Sequence, residues 1–272
     1  MKDPSPPDHA INLVVGYDGT GFCGFVRQPR ERTVQGVLER CIAEMNGEHV
    51  DTKVAGRTDA GVHALGQAVA FDPGRAISPA GWVRGLNAAL DDDVVVLSAE
   101  VRPRGYNPRF DSVGKTYRYL LQLSPHRDPL WRNRAWWLPA SRQRRTEAGG
   151  LDLDAMREAA SRWIGTHDFH AFRQADDDRV QTHRRMDRID LIERWANEPS
   201  LLAVEVEGSA FMKNMVRIMV GTLVEVGRGK MTADEAQALL GPNGRREDAG
   251  TTAPAHGLTL VEVHLGRPAP PA

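Results

Sequence analysis

The sequence predicts an α+β protein with a central, mainly antiparallel sheet and helices. The order of the predicted elements leads to this class, and the chain is long enough to bury the core that it needs. Strand-like and helix-like segments mix without the strict β-α-β alternation of a parallel sheet. The second half follows an order of elements similar to that of the first, although no sequence repeat is evident. With 272 residues, 41% of them hydrophobic, the chain can bury the core of one large domain or two small ones.

In the first half, apolar runs bounded by turn residues predict strands, and apolar residues at helical spacing predict helices. A strand is predicted over residues 11–17, ending at the turn "DGTG". Thr33 is placed to cap a helix that runs to about Met45. Another helix opens with the capping residue Ser78 and the first-turn Pro79. The further predicted strands are "DTKVAG", "GQAVAFD" and "VVVLSAEV".

In the second half, an amphipathic helix is predicted over residues 152–164, stopped by Gly165. Another is predicted over about 212–226, and Thr232 with Glu235 forms the capping box of a short third helix. The predicted strands are "KTYRYLLQL", "MDRIDLIE", "LLAVEVEG" and "GLTLVEVHL".

The domain prediction has four parts. We expect a disordered tail over residues 1–10, an N-terminal half over 11–140, a C-terminal half over 141–265 and a frayed tail over 266–272. The polar stretch "ASRQRRTEAGG" at 140–150 is interpreted as the seam between the halves.

Composition points to a reducing, aqueous compartment. The two cysteines, Cys23 and Cys41, form no CxxC pair, so neither a disulfide framework nor a cysteine-rich zinc site is expected. The polar N-terminus lacks the apolar segment of a signal peptide, and no apolar run approaches the roughly 18 residues of a membrane span. We therefore expect a cytoplasmic protein without membrane association.

The charge distribution suggests a polyanion as partner. The formal net charge of -1 does not indicate any kind of partner. Residues 102–146, however, contain eleven Lys or Arg and only two Asp. Such an excess is the electrostatic footprint of a nucleic-acid-binding surface, although a solvated Arg-rich face would look the same.

The segment "AGRTDAGVHA" (residues 55–64) holds a carboxylate, Asp59, in a glycine-bracketed loop between two predicted strands. A carboxylate there can act as nucleophile, general base or metal ligand, or simply cap the turn. The nearby Arg57 favours an ionised, paired carboxylate over a cation site. Physical reasoning alone leaves these alternatives open.

This segment closely resembles the signature of the tRNA pseudouridine synthase A family. Further segments resemble the family in order and spacing, from about residue 11 to residue 265: "YDGTGFCGF", "TVQGVLE", "RFDSVGKTYRY", "DFHAFR", "FMKNMVRIMVGTLVEVGRG" and "APAHGLTLVEV". The resemblance implies two ferredoxin-like halves with the active cleft between them.

The resemblance also implies a function. The chain would isomerise uridine to pseudouridine at positions 38–40 of the tRNA anticodon arm, with Asp59 as the nucleophile. The reaction changes neither redox state nor composition, so no cofactor and no metal are expected. A homodimer is implied, with tRNA bound across both subunits. The alternatives are a catalytically silent tRNA-binding protein of the same fold and, opposed by Arg57, a metal-dependent nuclease.

Other site residues follow from matching positions. The resemblance implies that Tyr117 stacks on the target uracil, that Arg217 forms an ion pair with Asp59, and that Arg57 displaces the target base. The phosphate backbone is expected to meet basic residues of the positive segment, chiefly Arg109, Lys115 and Arg118.

Two features stay open. Phe25 and Val26 stand where family members usually have Trp and Gln, which could alter how the loop meets RNA. His63, inside the signature, receives no role beyond local packing.

Overall fold

A computed structural model describes residues 7–139, 150–177 and 180–266, and the chain divides into two compact units. One unit runs to Val113 and includes the chain from Leu260 onward, while the other is Gly114–Thr259. The predicted boundary after residue 140 lies outside the described residues. The division falls earlier, at Val113, because the backbone from Lys115 onward is paired within the second unit.

The first unit has the order β-α-β-β-α-β of a ferredoxin-like fold. Its elements are β1 (His9–Tyr17), α1 (Val34–Asn46), β2 (Lys53–Val54), β3 (His63–Phe71), α2 (Pro79–Ala89), β4 (Val94–Pro103) and the short α3 (Pro108–Asp111). The strands lie in the order β4-β1-β3-β2, and each neighbouring pair is antiparallel.

The second unit also combines strands and helices. It contains β5 (Ser112–Ser124, from Gly114), β6 (Trp136–Pro139), α4 (Leu153–Ser161), β7 (Gly165–Asp168), β8 (His183–Glu193), β9 (Leu201–Gly208), α5 (Met215–Gly227) and α6 (Ala233–Ala238). A last strand, β10 (Leu258–Leu265), returns the chain to the first unit. The strands lie in the order β5-β9-β8-β7, antiparallel throughout, and β6 runs parallel to β5. The predicted α+β class with a mainly antiparallel sheet is confirmed.

Local capping predictions are also confirmed. The Thr33 side chain accepts a hydrogen bond from Gly36 N at the start of α1, and Ser78 caps α2 through Gly81 N. Thr232 and Glu235 form the complete capping box of α6. Each cap satisfies backbone N–H groups that the first turn of a helix leaves unpaired.

The predicted N-terminal tail is too long. His9 and Ala10 pair with Pro103 and Arg102 of β4, and Ala10 is fully buried. Strand pairing therefore orders the last two residues of the stretch that was expected to be disordered.

Each unit has its own aromatic core. In the first, the ring of Phe71 meets the edge of Trp82 at 5.0 Å between centroids. In the second, Trp163 packs on Phe172 at 4.9 Å, and α5 is buried on nearly all sides. These cores give each sheet a rigid face from which loops can present polar groups.

Candidate functional site

The Asp59 loop is residues 55–62, which connect β2 to β3 in the first unit. Along it Arg57 is exposed, Thr58 is buried and Asp59 is half-buried. The loop thus presents Arg57 and Asp59 to approaching molecules while Thr58 points into the protein. This arrangement is what a functional loop requires, because its charged groups are presented from an anchored backbone.

Thr58 is the anchor of the Asp59 loop. Its Oγ1 lies 2.7 Å from the hydroxyl of Tyr17, and its carbonyl accepts a hydrogen bond of 3.1 Å from Phe25 N. Burial raises the pKa of Tyr17 to about 12, so its hydroxyl keeps the proton that this contact needs. The residue next to Asp59 is therefore held by two bonds from one neighbouring segment, residues 17–25.

Glycines in this segment let the two backbones touch. A Cβ on Gly19 would lie 2.1 Å from the carbonyl oxygen of Val62. Gly24, at φ +90°, would place a Cβ 3.0 Å from the carbonyl oxygen of Thr58. Larger residues would push the Asp59 loop away, which is the physical reason for glycine at these two positions of "YDGTGFCGF".

Phe25, the residue that replaces the usual Trp, is fully buried and contacts Tyr17 at 6.1 Å between ring centroids. Its backbone N–H donates to the Thr58 carbonyl of the Asp59 loop. The Phe25 side chain itself offers no exposed surface to RNA.

The hydroxyl pair of Tyr17 and Thr58 can be tested by a double-mutant cycle. Tyr17→Phe and Thr58→Val should each lower the free energy of unfolding by about 1–3 kcal/mol, because each breaks the hydrogen bond between two buried hydroxyls. The double variant should cost little more than either one, a coupling of about 1 kcal/mol or more in urea unfolding.

Tyr106→Phe is the matched control for this cycle. The Tyr106 hydroxyl donates to Asp111 from a half-buried position, where water can replace it. A smaller loss is expected there. Strict additivity of Tyr17→Phe and Thr58→Val would show that the pair does not act as an anchor.

In the second unit, Arg217 lies on α5 and is held by its surroundings. Its Nε donates to the carbonyl oxygen of Ala253 at 2.6 Å, and Ala253 N donates back to the Arg217 carbonyl at 3.2 Å. Its Nη1 donates to Asn214 Oδ1 at 2.6 Å. Asn214 has a positive φ of 59° at the helix start and bonds Gln174 in turn. These contacts fix the plane of the guanidinium.

Tyr117 lies on β5, opposite Val206 of β9, and is only 8% exposed. Its ring and the ring of Phe211 pack nearly perpendicular to each other, with 5.1 Å between centroids and 80° between the planes. Phe211 therefore restrains the tilt of the Tyr117 ring. A ring held at a set tilt is suited to stacking on a flat partner.

The predicted phosphate-binding residues differ in their surroundings. Arg118 is engaged within its own unit, because its Nε and Nη2 contact Glu205 Oε1 at 2.7 and 2.6 Å and its guanidinium stacks on Trp195. Lys115 is half-buried, and Arg109 is exposed at α3. Arg142, Arg144 and Arg145 of the positive segment lie outside the described residues.

Within the described ranges, no group of three or more His, Cys, Asp or Glu is arranged to hold a metal ion. In the same part of the chain, no helix is long and apolar enough to cross a membrane.

Comparison with known proteins decides the family. A family model described as tRNA pseudouridine synthase matches residues 13–111 and 159–264. The chain belongs to this family. Proteins named tRNA pseudouridine synthase A from Citrifermentans bemidjiense and Geobacter sulfurreducens are 41% and 43% identical to it. These alignments cover 93% and 94% of this chain and 96% and 99% of the relatives.

The family consists of isomerases that convert uridine to pseudouridine, so the predicted class of enzyme is confirmed. A further relative of the same name, from Bacillus pumilus, is 42% identical over 93% of this chain and 98% of its own length. A solved Cbf5-Nop10-Gar1 complex aligns with 84% of this chain and 51% of that chain, at 15% identity and a TM-score of 0.38. That likeness is too weak to add to the family assignment.

Sequence reasoning found Asp59 and its motif but missed the groups that hold them. Tyr17, Thr58, Asn214 and Ala253 lie inside the quoted segments, but their roles as anchors do not follow from those segments. Tyr17 and Ala253 meet their partners from 41 and 36 positions away. The available signal was the glycine spacing of "YDGTGFCGF", which indicates a close backbone approach without naming the partner.

Proposed function

We propose that this protein converts uridine to pseudouridine at positions 38–40 of the tRNA anticodon arm, with Asp59 as the nucleophile. The observation that carries the proposal is the Asp59 loop. A half-buried carboxylate follows a residue anchored at both its side chain and its carbonyl, within a segment that the family model matches. A carboxylate next to such an anchored residue is held at one place, as a nucleophile requires.

The chemistry limits what the protein must supply. The bond between N1 of uracil and C1′ of the ribose breaks, the base turns, and a bond between C5 and C1′ forms. The proton on C5 is lost and N1 gains one, so the composition is unchanged. A nucleophile that adds and later leaves, with a route for that proton, is sufficient. The proposal therefore requires no redox cofactor, nucleotide or metal.

Arg217 is proposed as the ionic partner of Asp59. A guanidinium stays charged at all accessible pH values, and its planar donors suit a carboxylate. The bonds to Ala253 and Asn214 support this role, because an arginine with a fixed plane loses little entropy when it binds. Such a pair would orient the Asp59 carboxylate for its attack.

Tyr117 and Arg57 are proposed to handle the target base. Stacking a uracil on an aromatic ring contributes about 1–3 kcal/mol, and extruding a base from its stack costs a few kcal/mol. Tyr117 would supply the first contribution. The exposed Arg57, two residues before Asp59, would occupy the space that the base leaves.

Arg109, Lys115 and Arg118 are proposed to bind phosphates, with Arg118 contributing least. Lys115→Ala should weaken tRNA binding for all sequences and lower the slope of log K against log salt by about 1. Arg118→Ala should leave that slope nearly unchanged but destabilise the fold, because Glu205 loses the nearer of its two arginine partners and keeps only Arg188 at 3.6 Å. Filter binding at several salt concentrations and thermal melting separate the two. Equal slopes for both variants would contradict the ranking.

We further propose that the protein is a homodimer in the cytoplasm and that it binds tRNA across both subunits.

The function is tested by incubating the protein with unmodified tRNA transcripts and mapping pseudouridine, with and without EDTA. Modification confined to positions 38–40 and indifferent to EDTA supports the proposal. Binding without modification would indicate a catalytically silent tRNA-binding protein, and EDTA-sensitive strand scission a nuclease.

A further inference from the structure

His63 is the one polar group of the signature to which the proposed function gives no role. It is the first residue of β3, at the end of the Asp59 loop, and it is 4% exposed. Its Nδ1 lies 3.0 Å from the backbone nitrogen of Gly19, in the turn after β1. This buried contact joins residues 44 positions apart in sequence.

The protonation of the imidazole follows from its neighbours. The Gly19 N–H donates to Nδ1, which requires a lone pair there. Asp18 Oδ1 lies 3.1 Å from the same nitrogen and would suit a protonated Nδ1 instead. That oxygen already accepts from Thr20 N and Thr20 Oγ1, and a proton on Nδ1 would face the Gly19 hydrogen. The neutral ring, accepting at Nδ1, is therefore the state consistent with the Gly19 bond.

The bond holds a tight interface in place. Gly19 packs against the carbonyl of Val62, where a Cβ would come within 2.1 Å. Val62 N in turn donates to the carbonyl oxygen of Asp59 at 3.1 Å. Thr58, the residue directly before Asp59, is one anchor of the loop. His63 is the other, and it holds the backbone of Val62 and His63, three and four residues after Asp59. The two anchors lie on either side of the carboxylate.

We infer that His63 is a positioning residue for Asp59, which it serves by accepting the Gly19 N–H at Nδ1 and thereby holding the far end of the Asp59 loop. The inference rests on the proposed function, since it gives His63 a role only if Asp59 reacts. His63 itself takes no proton from the substrate. Its effect is on the rate of the step in which Asp59 acts, while tRNA affinity is set elsewhere.

The test compares two amides. In His63→Asn the side-chain oxygen can take the place of Nδ1, whereas in His63→Gln it reaches the place of Nε2. Misplacing a reacting group by about 1 Å can lower the rate about 100-fold. We therefore expect His63→Gln to lower kcat for pseudouridine formation by about 10-fold or more with KM for tRNA little changed. His63→Asn should recover most of that loss.

Melting temperatures of both variants show whether each is folded at the assay temperature. Because both carry an amide, a difference between them reports where the acceptor lies. Equal kcat for the two, whether at the wild-type value or equally reduced, would overturn the inference, as would a change confined to KM. Asp59→Ala, assayed on the same tRNA, distinguishes a failure of the proposed function from a failure of the role given to His63. If Asp59→Ala stays active, the proposed function fails; if it is inactive while His63→Gln is fully active, only the role of His63 fails.

Discussion

Replacing Asp59 with Asn is expected to lower pseudouridine formation by about 10⁴-fold or more, as loss of a nucleophile does in other enzymes. The amide has nearly the shape of the carboxylate, so the anchors at Thr58 and His63 should survive. The amide lacks the charge needed to attack, and Asp59→Ala should be equally inactive. Single-turnover modification assays with excess protein measure this rate directly.

The affinity of Asp59→Asn for tRNA shows whether the variant has lost only its catalytic activity or also its tRNA-binding site. The dissociation constant for tRNA should change by less than about 10-fold, because one side chain contributes a small part of a phosphate-dominated interface. Asp92→Asn, at an exposed position in the same unit, is the matched control and should retain activity. Substantial activity in Asp59→Asn would show that the Asp59 carboxylate is not the nucleophile.

Replacing Gly221 with Ala should have the largest effect on stability. A Cβ on this residue of α5 would lie 1.7 Å from the carbonyl oxygen of Thr251, which is backbone and cannot turn away. We expect a loss of about 3 kcal/mol or more in the free energy of unfolding. Gly250 N also donates to Thr222 Oγ1, so the added Cβ would disturb a place where α5 and the segment around Gly250 are joined by a hydrogen bond.

This substitution should also reduce activity. Segment 250–253 carries the carbonyl of Ala253 that orients Arg217, and displacing it would tilt the guanidinium. Gly85→Ala is the control. It is another helical glycine, but its Cβ would meet only the movable end of Met45. Urea unfolding and the modification rates of both variants check these expectations. If Gly221→Ala is as stable as the wild type, Gly221 does not approach the Thr251 carbonyl as closely as described.

Prediction from sequence succeeded where the signal is local. Thr33, Ser78 and the Thr232–Glu235 box act within one helical turn, so their roles follow from neighbouring residues alone. The predicted start of β1 was late because His9 and Ala10 owe their order to pairing with β4. Helix α5 was placed within a few residues, although its nearly complete burial could not be inferred from its own periodicity.

For the site, the sequence by itself determined the candidate loop and the family, because a ten-residue motif and several spaced segments identify both. Only the tertiary structure decided what holds that loop. Tyr17 meets Thr58 across 41 positions and His63 meets Gly19 across 44, and Arg217 is oriented by Ala253 from 36 positions away. Such contacts depend on how strands and loops pack. No local pattern encodes them, because each partner is an ordinary residue until the fold brings it within hydrogen-bonding distance.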